Sequence, residues 1–435
     1  MDTKNIIEHF SNLYAGQIDS GKIGLAAIRD EAFARFSALG FPKPKDEEWR
    51  FTDISPLLDI PFTQASDVDE SGILAQSLDS FWIPDVDGPK IVVANGVLSK
   101  GLSQRLNNLP FKISSVYDAK QAKVIAEFVK NSPAADSNGF TALNTSLMRD
   151  ALFLDVPANT NVREPVQILF LSSGSEKPQA IFPRLIVRIG RNSRMTLIES
   201  YASRHESIYF VNGVSDIHIE ENASLHHVRL QADSASAFHI GHSFVEQKQD
   251  SRYQSCSISI GSRISRHHIS AILDGSGAET RLDGLYLGKG EQLLDNHTLI
   301  DHKAAHCQSH ELYRGVLADK ARGVFSGKIL VERNAQKTDA IQNNNGLLLS
   351  EEARIDSKPQ LEIYADDVRC THGATVGQLD DEALFYLKSR GIGHNTAKGI
   401  LIYAFAEEAL KNIESKPIRT YVDGILNRFF REVNT

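Results

Sequence analysis

Cysteine is scarce in this sequence. The 435 residues contain three, Cys256, Cys307 and Cys370. An odd and sparse set cannot build a disulfide framework, and it is typical of a protein from a reducing compartment. Because no two of them form a Cys-x-x-Cys pair, a self-contained zinc or cluster site made of four thiolates is excluded.

Long apolar runs and an excess of positive charge are also missing. No apolar stretch reaches the roughly 18–20 residues that a membrane-spanning helix needs. The first residues lack the basic and apolar segments of a signal peptide. The formal net charge is −8, which argues against a nucleic-acid binder because such proteins concentrate positive charge on one surface. We therefore expect a cytoplasmic protein with no membrane or nucleic-acid partner.

Familiar catalytic motifs are absent. The sequence contains no GxxxxGK[ST] nucleotide loop, no GxSxG nucleophile elbow and no HExxH zinc motif. The glycine-rich run GLYLGKG at 284–290 has the wrong spacing for a phosphate loop. A chain of this length without such constellations favours a scaffold over an enzyme.

Residues 1–150 are predicted to form an N-terminal, mainly helical domain. Apolar residues recur there at helical spacing, and one predicted helix stops at Gly40, a common C-terminal signal. The segment EEWRFTDISPLL that follows changes character. We expect Trp49 and Phe51 within it to anchor this region on the rest of the protein.

Residues 151–378 read as many short strands of alternating polarity with almost no helical signal. Turn-like starts recur at first every 27–30 residues and later every 14–17 residues. They lie near Asn192, Asn222, Asp250, Gly277, Ala304, Ala321, Ala335 and Glu352. The shorter interval is about half of the longer one, as expected when strands follow one another around a coil. This pattern predicts a mainly β fold, a parallel β-helix whose coils stack and bury a continuous core.

A β-sandwich is the alternative for this region. Sandwiches join their strands by hairpins, for which Asn-Gly and Asp-Gly are strong signals. Asn212-Gly213 and Asp283-Gly284 are two such pairs inside the region. The pattern favours the β-helix and leaves the sandwich open.

Residues 379–435 return to helical periodicity and are predicted to form a C-terminal helical domain. Asp380 or Asp381 can cap its first helix, and Gly391 can end it. The helices have broad apolar faces. Either these faces pack on each other, or part of the apolar surface binds another protein.

Histidines concentrate in the β region, where thirteen of the fifteen lie between His205 and His372. His306 and His310 lie close to Cys307, and imidazole and thiolate are good ligands for iron, zinc and copper. This group is therefore a candidate metal cluster. The alternative is that most of these histidines are exterior polar residues or hydrogen-bonded residues of the coils.

Cys370 and His372 form a second candidate site. In an extended strand residues two apart point the same way, with Cβ atoms about 6–7 Å apart. Such a pair could share a metal ion or a cluster. It could equally be a buried cysteine and a hydrogen-bonded histidine at a junction between strand and helix.

The run around this pair resembles a known family. SKPQLEIYADDVRCTHGATVGQLDDEALFYLKSRGI at 357–392 is similar to the C-terminal signature of the SufB/SufD family of iron–sulfur cluster assembly proteins. Residues 332–356 and the EEWRFTDISPL segment fit as well. The wording IYADDVRCTHGATVG resembles the SufD branch. This chain also lacks the cysteine that SufB members carry in the turn corresponding to 351–355.

The resemblance implies a right-handed parallel β-helix between two helical domains, acting as a non-catalytic scaffold of the SUF machine. It implies pairing with a SufB-type chain and binding of the ABC-type ATPase SufC through 379–435, with sulfur supplied by a cysteine desulfurase system. It makes His372 the first candidate ligand for iron or a nascent cluster at the interface with SufB, and Cys370 a neighbour that could contribute. Some family complexes bind a reduced flavin, to which no residue here is assigned.

Two rival interpretations remain. One is a polysaccharide-processing β-helix enzyme, and the other is a structural protein that associates with itself. A homodimer of the isolated chain is compatible with the sequence.

Overall fold

A computed structural model describes residues 3–16, 25–66, 75–133 and 138–433 of the chain. Its helices are α1 Thr3–Ala15, α2 Ala26–Leu39, α3 Ser55–Leu58, α4 Ala122–Asn131, α5 Gly139–Leu147, α6 Asp381–Ser389, α7 His394–Glu407 and α8 Lys416–Val433. The first four strands are β1 Thr63–Gln64, β2 Lys90–Ala94, β3 Val97–Gln104 and β4 Lys112–Ser114.

The remaining strands follow one another from residue 152 to residue 377. They are β5 Leu152–Val156, β6 Val166–Ser172, β7 Gln179–Ile181, β8 Arg184–Ile189, β9 Arg194–Ser203, β10 Tyr209–Ile219, β11 Ser224–Ala232, β12 Phe238–Gln247, β13 Arg252–Ser259, β14 Ile264–Leu273, β15 Glu279–Gly288, β16 Leu293–His302, β17 Gln308–Leu317, β18 Arg322–Val331, β19 Asp339–Leu348, β20 Arg354–Ile363 and β21 Arg369–Gly377.

These strands build a solenoid of two facing parallel sheets. One sheet has the order β5, β8, β10, β12, β14, β16, β18, β20, and the other has β6, β9, β11, β13, β15, β17, β19, β21. Each coil therefore adds one strand to each sheet, and eight coils are stacked. The predicted mainly β solenoid with flanking helices is confirmed, whereas its right-handed sense stays a prediction.

The hairpin dipeptides explain why a sandwich was conceivable. Asn212-Gly213 lies inside β10 and Asp283-Gly284 inside β15, and both strands pair in parallel with their neighbours. By contrast, Asn95-Gly96 does turn a hairpin, between β2 and β3, with φ of 46° and 81°. A dipeptide that permits a tight turn does not enforce one when stacking of coils extends the chain.

A row of left-handed turns produces the predicted repeat. Asn159, Asn192 and Asn222 have φ between 53° and 60°, a region that asparagine enters at low cost. The side-chain amide of Asn192 donates to Oδ1 of Asn159, and that of Asn222 donates to Oδ1 of Asn192, each at 2.9 Å. Two of the later starts, Ala321 and Glu352, belong to the opposite row of turns, and this is why the interval halves there.

Four layers result. The space between the sheets holds the largest apolar cluster. The N-terminal helices cover the outer face of the sheet that contains β12, and α7 and α8 cover the outer face of the sheet that contains β11. The described residues of the region 1–150 form α1 to α5 and four strands, and two of these strands, β2 and β4, extend the sheets by pairing with β6 and β5.

Trp49 anchors the N-terminal region as predicted. Its buried ring lies under the guanidinium of Arg266, 3.8 Å from the ring centroid. Arg266 lies on β14 and also donates to the main-chain oxygen of Glu48 at 2.9 Å and to Asp295 Oδ2 at 2.5 Å. A buried charge held on three sides fixes the N-terminal segment on the solenoid.

Ionisable side chains are buried between the sheets as well. Glu199 accepts hydrogen bonds from Tyr201 at 2.7 Å and from His227 at 3.0 Å, with Arg229 at 3.7 Å. Burial opposes ionisation of Glu199, but the hydrogen bond and charge of His227 and the charge of Arg229 outweigh it and lower the pKa of Glu199 to about 2. The carboxylate is therefore a stabilising charge.

This lowered pKa predicts acid sensitivity. A carboxyl with a lower pKa in the folded chain contributes stability above its unfolded pKa of about 4.3 and loses it as the pH falls toward the folded value. We expect Glu199→Gln to lower the free energy of unfolding at pH 7 by about 3 kcal/mol, and less below pH 4. Urea unfolding from pH 7 to pH 3 measures this. The exposed Glu221→Gln is the control, and an equal loss at every pH would contradict the assignment.

Candidate functional site

The solenoid ends at its last coil with two strand edges that are open in the part of the chain that the structure describes. β20 pairs only with β18, and β21 pairs only with β19. Most residues of both strands are exposed or half-buried, unlike those of the preceding coils. The space between the two sheets, which we call the bore of the solenoid, therefore opens to the surface at the last coil.

Cys370 and His372 lie on β21 and face this bore. Their register partners on β19 are Ala340 and Gln342, which are fully buried inside. Parallel strands in register direct paired side chains to the same side of the sheet. The predicted common orientation of the two side chains is therefore what the structure shows.

The two side chains differ in their surroundings. Cys370 is half-buried and packs against the apolar cluster that contains Ala340. Burial, and then the nearby Asp339 carboxylate, raise the pKa of the Cys370 thiol above its ordinary value, which disfavours the thiolate that binds metals. His372 is exposed at the mouth of the bore. Of the two, His372 is the residue that an external ligand can reach.

The group around Cys307 is not gathered into one site. The thiol of Cys307 is buried in a turn, donates to the main-chain oxygen of Gly275 at 3.3 Å, and has a pKa raised by burial. His306 is exposed in a left-handed turn with φ of 63°, and His310 lies on the outward face of β17. Across residues 3–16, 25–66, 75–133 and 138–433, no three His, Cys, Asp or Glu side chains converge as a metal site would require.

Other histidines serve packing and hydrogen bonding. His242, His268 and His297 occupy one register position on β12, β14 and β16, and their rings stack with centroids 5.7 and 6.0 Å apart. Burial lowers the pKa of all three, so they are neutral rings at pH 7. His239 is paired with Asp233 at 2.9 Å inside the bore. Stacked and buried rings of this kind are not presented to a ligand.

The C-terminal helices provide a second surface. The inner faces of α7 and α8 pack on the solenoid through residues such as Ile402, Leu426 and Phe430. Helix α6, capped by Asp380, has no buried residue, and its Phe385 and Tyr386 are 72% and 58% exposed. We call Phe385, Tyr386 and the exposed Ile400 of α7 the C-terminal apolar patch.

Sequence reasoning missed two features. It did not single out Phe385 and Tyr386. It also overlooked Glu311 and Gln342, which lie inside the bore below His372. Alternation at period two was the available signal for the second pair, because it places a charged and an amide side chain on the apolar face of their strands.

Comparison with known proteins assigns the family. The family described as "SUF system FeS cluster assembly, SufBD core domain" matches residues 170–405. The chain belongs to the SufBD family. The SufBD protein N-terminal region matches residues 4–168, which together with the core covers both the helical region and the solenoid.

Individual SufBD relatives agree. The chain is 35% identical over 396 residues to an iron–sulfur cluster assembly SufBD family protein of Synechocystis, covering 88% of this chain and 86% of the relative. It is 30% identical over 389 residues to the iron–sulfur cluster assembly protein SufD of Escherichia coli, covering 88% of each chain. The SufD of Bacillus subtilis is 28% identical over 307 residues, or 69% of each chain.

The resemblance drawn from the C-terminal signature is thus confirmed across most of the chain, and with it the role in iron–sulfur cluster assembly. The polysaccharide-processing alternative finds no counterpart among these relatives. None of the helices in the described ranges combines the length and the apolar character needed to cross a membrane.

Proposed function

We propose that this chain is the SufD-type scaffold of a cytoplasmic SUF machine and has no catalytic activity of its own. It pairs with a SufB-type chain, binds a SufC-type ATPase, and helps to hold a nascent iron–sulfur cluster, which is the cargo of the assembly. The observation that carries the proposal is His372, exposed at the open end of a solenoid whose last two strands each have one edge that no described strand pairs with.

The free edges suit a sister solenoid. Unpaired N–H and C=O groups on an edge strand are a template for pairing with another chain. Ile363, Tyr364 and Val376 expose apolar surface at the same end. A partner that paired there would cover His372, and the interface would then enclose it.

A shared site follows from ligand chemistry. Iron in a cluster is held by thiolate or imidazole ligands in addition to its sulfides. Within the described residues no further His, Cys, Asp or Glu joins His372 and Cys370 in a group of three, and the thiol of Cys370 is disfavoured as thiolate. The partner is therefore expected to supply the remaining ligands.

The C-terminal apolar patch is the proposed docking surface for the ATPase. Aromatic side chains on an exposed helix are typical anchors of a protein interface. The chain has no nucleotide loop of its own. ATP binding by the partner would then act on this chain only by shifting the population of its arrangements with the sister subunit.

We expect His372→Ala to abolish cluster accumulation during anaerobic assembly with the sister chain and the ATPase. The fold and the complex should persist, because His372 is exposed and makes little packing contact. The measurements are cluster absorbance and size-exclusion chromatography of the complex. Cys370→Ala is the matched control and should retain most of the accumulation. Normal accumulation by His372→Ala would remove the ligand role.

We expect Phe385→Asp to weaken ATPase binding at least tenfold and to leave sister-chain binding intact. A charge cannot be buried without a partner in an apolar interface. Tyr364→Asp, at the open end, is the reciprocal control and should weaken sister-chain binding only. Calorimetric titration of each variant with each partner measures both. Equal effects of the two variants on both partners would contradict the assignment of separate surfaces.

A homodimer through the same edges is the alternative for the isolated chain, since a second copy has the same unpaired strands. Sedimentation of the full chain alone, with Tyr364→Asp as control, tests it. A dimer that the variant dissociates would place self-association at the open end.

A further inference from the structure

Below His372 the bore contains a column of polar side chains. Glu311 on β17 is the register partner of Gln342 on β19, which is the register partner of His372 on β21. Adjacent strands of a sheet are about 4.8 Å apart. The three side chains therefore follow one another along the axis of the solenoid, and His372 is the last of them.

The side-chain amide of Gln342 is held in one orientation. Its Nε2 donates to Oε2 of Glu311 at 2.5 Å, and both side chains are fully buried. Because the amide nitrogen of Gln342 bonds to Glu311, the carbonyl Oε1 is the atom of this side chain that remains available to another partner. This oxygen is buried and has no hydrogen-bond partner within the described structure.

A buried acceptor without a partner is costly. Leaving such a group unpaired costs about 1–3 kcal/mol, so native proteins rarely keep one without a use. The side chain that follows in the column is the imidazole of His372, whose ring N–H groups are donors. The unpaired oxygen of Gln342 and the imidazole of His372 therefore belong to neighbouring residues in register.

The other interior side chains of β19 do not offer an equivalent acceptor near His372. Asn344 is engaged on both ends, since its Oδ1 accepts from Tyr286 and its Nδ2 donates to Ser357, each at 3.1 Å. Ala340, on the other side, has no polar side-chain group. Among the described interior residues of this strand, Gln342 alone can serve the last coil.

We propose that Gln342, oriented by Glu311, is a positioning residue for His372. Its Oε1 accepts a hydrogen bond from one ring nitrogen and directs the other, unprotonated nitrogen toward the mouth of the bore. Histidines that bind metals generally donate their second ring N–H to a carbonyl or a carboxylate, which fixes both tautomer and ring orientation. The consequence for the cluster rests on the proposed function, whereas the hydrogen bond itself does not.

The charge of Glu311 bears on the orientation of the Gln342 amide. Burial raises the pKa of this carboxyl to about 7. Both forms keep an oxygen that can accept the N–H of Gln342, but only the ionised form lacks an O–H donor and so commits the amide to the orientation described. Glu311→Gln preserves that acceptor, whereas Glu311→Leu removes it, and this pair of variants separates the hydrogen bond from the charge.

The tautomer of His372 tests the proposal without a cluster. In the full chain labelled with ¹⁵N-histidine, ring nitrogen shifts report which nitrogen is protonated, and the signal that vanishes in His372→Ala identifies the residue. We expect one tautomer in the unmodified chain and in Glu311→Gln. We expect a mixture in Gln342→Leu and in Glu311→Leu, because the acceptor is then lost or free to rotate.

Gln247→Leu is the matched control. Gln247 is also a fully buried amide inside the solenoid, several coils before His372, and it donates to Oγ of Ser251 and to the main-chain oxygen of Glu279. Its replacement should lower the thermal midpoint about as much as Gln342→Leu does and leave the tautomer of His372 unchanged. A single tautomer retained in folded Gln342→Leu would overturn the proposal.

Cluster accumulation with the partner chains separates this proposal from the proposed function. Loss of a residue that orients a ligand typically weakens metal binding about 10- to 100-fold, and we expect that range for Gln342→Leu. If His372→Ala accumulates clusters normally while Gln342→Leu still mixes the tautomers, the ligand role fails and the positioning contact stands. If Gln342→Leu leaves the tautomer of His372 unchanged, the proposed hydrogen bond between Gln342 and His372 is refuted, whatever the cluster assay gives.

Discussion

Stacking of the coils in register is the constraint on which the rest of the structure depends. From β10 to β21 each strand pairs residue for residue with the strand one coil earlier. A slip by one residue would turn every interior side chain outward. The buried network of Glu199, His227 and Arg229 makes such a slip costly, because it would break charged hydrogen bonds in the bore.

The same stacking needs an end, and the two ends of the solenoid differ. At the N-terminal end, β3 and β4 pair antiparallel with β2 and β5, so the sheets leave the coil geometry there. At the C-terminal end, β20 and β21 complete a coil that continues the register without a further described strand. The candidate residue His372 thus lies on the last described coil, where the stacked repeat stops.

Polar side chains between the sheets connect the stacking of the coils with the open end where His372 lies. The interior between the sheets holds polar as well as apolar side chains, and Glu311 and Gln342 form a buried polar pair on the two strands below β21. Buried polar groups cost stability unless they are paired, and here the pairing is incomplete in a manner that points to His372. The proposed positioning of His372 would therefore make these coils part of the candidate site, although they lie far from it in the chain.

The sequence alone determined the local features. Alternation at period two, with turns at Asn192 and Asn222, was enough for the solenoid, because each coil repeats the same local pattern. It also placed Cys370 and His372 on one side of their strand. The run of residues around them resembles the family signature, and it is long and specific enough to predict the family.

Only the tertiary structure decided which residues share a site. His306, Cys307 and His310 are neighbours in sequence, but a turn followed by an alternating strand sends them to different faces. Glu311 and Gln342 are 31 residues apart, yet they are in contact because one coil of the solenoid has about that length. The register between coils, set by backbone pairing along the whole solenoid, is a property of the stack, and no single segment of the sequence contains it.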